Sequence, residues 1–162
     1  MGIRAIQIVL VAGALILIIG LVLAPRLPVE ARAEAKASPA DLKLSEAIAL
    51  VNNGENPMQG IQIMRELLEE DSTNVDVHWH LAQFSITSRQ IENAAFRFQK
   101  VLQFDQNQKY PEAYFWLAQT NITLGQPQAA LPLLIKYKTI EQDTIILRGV
   151  DRMIEQLQEE LK

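Results

Sequence analysis

The sequence predicts an all-α protein: a solenoid of about three helical hairpins closed by a C-terminal capping helix and preceded by one membrane-spanning helix. Three observations predict it. First, Ile3–Leu23 is apolar apart from Arg4 and Gln7. Second, residues 75–143 repeat themselves at an offset of 36: Trp79 falls on Phe115, Leu81-Ala82 on Leu117-Ala118, Gln83 on Gln119, Ile86-Thr87 on Ile122-Thr123, Ala94 on Ala130, Phe98 on Leu134 and Val101 on Tyr137. A fainter copy lies 34 residues earlier, where Gly60, Met64 and Leu67 match Ala94, Phe98 and Val101. A period in this range with helical apolar spacing means stacked helical hairpins, each burying its face on the next. Third, the helical stripes open on capping residues or prolines and close on turn residues.

The N-terminal stretch comes first in the chain. Its 21 residues reach about 31 Å as a helix, close to the hydrocarbon thickness of a bilayer. Residues 1–24 read as a single-pass anchor. The competing reading is a cleaved signal peptide, because Ala31-Arg32-Ala33 carries small residues in the right places. The length of the run, and Pro25 and Pro28 between it and that site, favour the anchor. Arg4 and the terminal amine stand against Arg26, Arg32 and Lys36, with Glu30 and Glu34 interleaved, a margin of one charge that by itself favours a cytoplasmic C-side. The layout of a short N-terminus before a long domain favours an extracytoplasmic domain on the periplasmic side. Residues 25–38 show no apolar periodicity and read as a flexible spacer.

The repeat domain is expected over 39–162. Ser38-Pro39 opens the first helix, with Leu44, Ala47, Ile48 and Val51 as its stripe and Asn53-Gly54 as its end. Asn56-Pro57 opens the second, which buries Ile61, Met64, Leu67 and Leu68 and runs into Glu69-Glu70-Asp71, a solvated edge or contact surface. Asn74 caps the third helix, about 75–87. The fourth spans 91–104. A polar join at 105–109, two residues longer than its predecessor, accounts for the longer offset. Pro111 starts the fifth helix, which ends at Gly125. Pro127 starts the sixth, with Pro132 near enough to its beginning to be tolerated with a bend. Residues 143–161 form the capping helix, with Ile146, Val150, Met153, Leu157 and Leu161 on one stripe and a polar outer face.

These residues resemble the tetratricopeptide repeat (TPR) family. Its pattern of a large residue, Leu plus a small residue, a turn Gly, a small residue and two packing positions is matched by Tyr114, Leu117-Ala118, Gly125, Ala130, Leu134 and Tyr137. It is matched less well by His78, Leu81-Ala82, Arg89, Ala94, Phe98 and Val101, where Arg89 replaces Gly and His78 an aromatic. The first copy is degenerate, with Ala47-Ile48 where Leu plus a small residue is expected. The resemblance covers about residues 41–143.

Charge and composition exclude several functions. Apart from Arg4, 14 basic residues meet 19 acidic ones, which argues against nucleic acid. No cysteine is present, so there are no disulfides, thiolate ligands or Cys nucleophiles. The two histidines, His78 and His80, are about 200° apart on a helix and cannot share a metal. No phosphate loop or catalytic constellation is visible. Asn121-Ile122-Thr123 is a glycosylation sequon by letters only, since it falls inside a helix. The chain reads as a non-enzyme with no cofactor, no metal and no small-molecule substrate.

The resemblance implies a concave groove lined by first helices. Carried over by position, the lining is Asp76, Trp79, Gln83, Ile86 and Thr87, then Glu112, Phe115, Gln119, Ile122 and Thr123. An aromatic followed one turn later by Gln, in both hairpins, suits a peptide: aromatic area for affinity and an amide for its backbone. The alternative is that Trp79 and Phe115 pack between hairpins. Asp76 and Glu112 disfavour a carboxylate clamp. The expected function is a membrane-tethered TPR adaptor or scaffold that binds a peptide segment or partner protein, with residues 3–24 in the bilayer. The alternative is a fixed structural subunit of a membrane complex, held mainly by its spanning helix.

Overall fold

The turn after each first helix sets the architecture. Ser88 N–H donates to Phe84, Arg89 to Ile86 and Gln90 to Ser85; 36 residues later Leu124 donates to Thr120, Gly125 to Ile122 and Gln126 to Asn121. The crossed pair of bonds satisfies the last carbonyls of each helix and turns the chain back on itself. It requires a left-handed residue, supplied by Gly125 at φ 70° and by Arg89 at φ 59°. Gly54, at φ 69°, makes the same bond to Val51 in the first hairpin.

The computed structural model describes residues 37–54 and 56–162. The expected anchor (1–24) and nearly all of the spacer (25–38) lie outside the described residues. Ser38–Lys162 forms one compact unit of seven helices: α1 Pro39–Asn52, α2 Pro57–Glu70, α3 Val75–Thr87, α4 Ile91–Phe104, α5 Ala113–Thr123, α6 Pro127–Lys138 and α7 Thr144–Glu160. The described residues contain no strand, so the domain is all-α and repeat-like. Among them no helix is long and apolar enough to cross a membrane.

The helix starts follow the sequence. Ser38 accepts from the Asp41 amide while Asp41 accepts from the Ser38 amide, a reciprocal cap. Asn56, Asn74 and Asp143 cap α2, α3 and α7 with their side chains. The expected start of α5 at Pro111 is shifted: Ala113 N–H bonds to Tyr110 and Tyr114 N–H to Pro111, a tighter turn ahead of the helix proper. Asp105 shapes the join before it, accepting from the Lys109 and Tyr110 amides at 2.9 and 2.7 Å. α6 passes through Pro132, which lies exposed on its outer side.

The core consists of three clusters, and each is a hairpin sealed by the helix that follows. Leu44, Ala47, Ile61, Met64 and Leu67 of α1–α2 are closed by Val77 and Leu81 of α3. Ala82, Ala94, Phe98 and Val101 of α3–α4 are closed by Ala113 and Leu117 of α5. Ala118, Ala130, Leu134 and Tyr137 of α5–α6 are closed by Val150 and Leu157 of α7. Val77, Ala113 and Val150, at 0, 0 and 1% exposure, hold one position on three successive first-type helices. Positions 37 beyond Phe115 and Ala118 are Arg152 and Glu155, both exposed. α7 therefore carries polar residues at these two positions, where α5 has Phe115 and Ala118.

The first hairpin differs from the expected alignment by one residue. Ala47 is fully buried, in the place of Ala82 and Ala118, and exposed Glu46 stands where Leu81 and Leu117 seat on the preceding hairpin. The α1–α2 turn is one residue longer than the α3–α4 turn, so α1 aligns at 35 and α2 at 34. The Glu69-Glu70-Asp71 run lies on the surface: Glu70 pairs with Lys43 at 3.3 Å, and Asp71 holds the Thr73 amide and hydroxyl at 2.9 and 2.7 Å.

Candidate binding groove

Where successive first helices meet, side chains of one leave a cleft beside those of the next. Between α1 and α3 the cleft is about 250 Å³, walled by Ile48, Val51 and Asn52 on one side and His80, Gln83, Phe84 and Thr87 on the other, with Met64 beneath. Between α3 and α5 a second cleft of about 360 Å³ is walled by Ile86 and by Phe115, Trp116, Gln119, Thr120 and Thr123, with Ile91 of α4 at its end.

The two clefts are lined by equivalent positions. His80 and Trp116, Gln83 and Gln119, Phe84 and Thr120, and Thr87 and Thr123 are each 36 apart, and Val51 stands to Ile86 as α1 stands to α3. Both are apolar with an amide, a hydroxyl and no carboxylate, Lys or Arg. Burial lowers the pKa of His80; Asp76 pulls it up and Lys109 pushes it down, and the net shift is downward. The imidazole is therefore neutral at pH 7, and both clefts are uncharged. An amide beside apolar walls can hold the donor and acceptor of a peptide backbone while burying its side chains.

The structure divides the expected lining. Gln83 and Thr87 line the first cleft, and Ile86, Phe115, Gln119 and Thr123 the second. Gln119 also directs its amide nitrogen to Met153 Sδ at 3.3 Å. Asp76, Trp79, Glu112 and Ile122 line neither cleft. Trp79 is stacked on Tyr110, centroids 4.5 Å apart and planes 14° apart, with its edge on Phe98 at 5.7 Å. Ile122 packs into the third cluster, and Glu112 is exposed at the start of α5. Phe115 meets Trp116 edge-on at 5.7 Å and Tyr137 at 5.5 Å, so one face of it is structural.

Asp76 is bound within the fold. Lys109 Nζ lies 2.6 and 2.7 Å from its two oxygens, and the Tyr110 hydroxyl donates at 2.7 Å. Burial raises its pKa, but the Lys109 and Tyr110 hydrogen bonds outweigh that and hold the carboxylate below its ordinary value. The same contact and burial raise the Tyr110 pKa. Asp76, Lys109, Tyr110 and Trp79 thus form a clasp that pins α3 to the start of α5.

Sequence reasoning missed His80, Trp116, Phe84, Ile48 and Val51. Stripes 79-83-86 and 80-83-87 are both helical, and what separates them is Tyr110, delivered by the longer join onto Trp79. No periodicity announces that contact. His80 and Trp116 differ in type, so residue matching at 36 passed over them.

Among the described residues no three His, Asp or Glu side chains are placed to hold a metal ion. The chain matches no protein-family model and no curated protein.

Proposed function

We propose that this protein is a membrane-tethered adaptor of tetratricopeptide type, and that it holds an uncharged, largely apolar peptide segment of a partner along the first-helix face. The observation that carries the reading is the recurrence of one cleft at two successive seams, with Gln83 and Thr87 repeated as Gln119 and Thr123. The hairpins pack through the alanines and the left-handed turns; the Thr87 and Thr123 hydroxyls bond back to the Phe84 and Gln119 carbonyls and Gln119 reaches Met153 through its nitrogen, so the two amide oxygens are what both seams offer a ligand. The apolar run Ile3–Leu23 supports the tether. A tether concentrates the module near membrane clients and so raises occupancy without new contacts. The uncharged lining favours an internal segment over a free C-terminal carboxylate.

The test is a pair of double variants of the full chain. Gln83→Ala with Gln119→Ala should reduce client capture by about tenfold, as expected for two lost hydrogen bonds of roughly 0.5–1.5 kcal/mol each, with the melting temperature lowered only by the loss of the Gln119–Met153 contact. Trp79→Ala with Phe115→Ala should lower the melting temperature, because both rings pack inside the stack. Full capture by the glutamine pair would exclude the groove and leave the spanning helix as the main contact.

A further inference from the structure

On the second helices α2 and α4, three cations, Arg65, Arg97 and Lys100, form no ion pair among the described residues. Arg97 is half-buried on α4, and its guanidinium lies 5.4 Å from the centre of the Phe96 ring. Lys100 Nζ is 5.7 Å from Phe96 and 5.4 Å from Phe104. Arg65 of α2 is close enough to depress the Arg97 pKa further, after burial. Phe96 itself is 49% exposed.

Arg97 is met by a neutral acceptor. The His78 ring is almost fully buried. Its Nε2 is 3.0 Å from the Ser72 carbonyl, so that nitrogen carries the proton and Nδ1 accepts from Arg97 Nη1 at 3.3 Å. Among the described residues no carboxylate lies within 4.0 Å of Arg65, Arg97 or Lys100; the ion pairs present are Lys43–Glu70, Lys109–Asp76 and Lys138–Asp151. Glu66, also on α2, accepts from Gln62. Like charges held together at a partly dry surface destabilise a fold. Glu69 stands one helical turn beyond Arg65 on α2, yet among the described residues it forms no ion pair with any of the three.

We propose that the α2–α4 face binds an acidic segment of a partner protein, its carboxylates on Arg65, Arg97 and Lys100 and an apolar side chain on Phe96. A short acidic segment fits better than a nucleic acid or a membrane. Three charges cover a small area, too little for the many phosphate contacts of a nucleic acid or a lipid surface. Arginines provide paired donors for carboxylates, and a half-exposed aromatic between them gives an anchor. The face lies on second helices, so it works independently of the first-helix clefts.

The test uses the full chain in discs of zwitterionic lipid and a labelled octapeptide of six Glu and two Leu, with the Gln-for-Glu peptide as control. The Glu peptide should bind, shield Lys100 from amine labelling and weaken as salt rises. Arg65→Glu with Lys100→Glu should weaken it by about tenfold or more, and the milder Lys100→Gln by several-fold, while Gln83→Ala with Gln119→Ala changes nothing. Circular dichroism confirms that each variant is folded. Equal binding of the Gln peptide overturns the proposal, as does indifference to the charge reversals. So does shielding of Lys100 by anionic-lipid discs and not by the peptide.

Discussion

The second hairpin (α3–α4) and the third (α5–α6) turn on the same hydrogen bonds, donor for donor, yet most of their large side chains differ. Phe98 corresponds to Leu134, Trp79 to Phe115 and His78 to Tyr114, and Arg89 holds the left-handed turn that Gly125 holds in the other. What stays constant is the set of fully buried alanines, Ala82 and Ala118, Ala94 and Ala130, with the seating leucines Leu81 and Leu117 and the glutamines and isoleucines of the seam, Gln83 and Gln119, Ile86 and Ile122. The backbone path is thus set by the positions that let helices approach and turn, and the large residues decide how firmly each hairpin is filled and joined to its neighbour. The second is joined to the third through Asp76, Lys109, Tyr110 and Trp79. The third is joined to the cap by the Gln119–Met153 contact and the Lys138–Asp151 ion pair.

The comparison breaks first at the core. Phe98 is fully buried between Trp79 and Trp116, so Phe98→Ala should cost about 3–5 kcal/mol and loosen both hairpins. Leu134→Ala should cost about 2–5 kcal/mol and act on the third alone. Urea melts give the totals, and hydrogen exchange shows which helices open. Equal, global opening in both variants would mean the hairpins are not separate packing units.

The first hairpin sharpens the argument about small residues. Gly60 takes the place of Ala94 and Ala130, and a Cβ there would lie 2.5 Å from the Ala47 carbonyl oxygen and 2.8 Å from Val51. Gly60→Ala should therefore destabilise by about 1–3 kcal/mol, although Ala is the better helix former. Ala94→Gly should cost only about 1 kcal/mol. A stabilised Gly60→Ala protein would contradict the close α1–α2 approach.

The turns should respond in opposite directions. Arg89→Gly relieves a left-handed side chain and should stabilise by about 0.5–1 kcal/mol, the relief being partly offset by the freer unfolded chain. Gly125→Arg should cost a similar amount, read from the same melts.

Acid should separate the hairpins with no substitution at all. Burial lowers the pKa of both His78 and His80, despite the pull of the Ser72 carbonyl on one and Asp76 on the other. Below about pH 6.5 the unfolded chain takes up protons that the folded one refuses, so stability rises with pH. It should be complete above that value and fall as pH drops through it toward the folded-state pKa. The third hairpin has no histidine, so hydrogen exchange near pH 5.5 should accelerate in α3–α4 before α5–α6.

Much of this was legible in the sequence, and for a physical reason. Periodicity, Ser38, Asn56 and Asn74 as caps, and the buried alanines are local signals, and all of them stand in the structure. The contents of the seams were not legible. Whether Trp79 or His80 faces the cleft depends on where Tyr110 arrives, which is a contact between residues 31 apart. The offset of α1 depended on a single extra residue in a turn.

The central claim is that two equivalent seams form one binding face. It is tested most directly by a photo-cross-linking residue at Thr87 or at Thr123, both exposed at the clefts, with Gln128 on α6 as the control, in native membranes. The account predicts adducts to the same partner from both positions, mapping to neighbouring stretches of one segment, and none from the control. Adducts to unrelated proteins, or equal adducts from position 128, would contradict it.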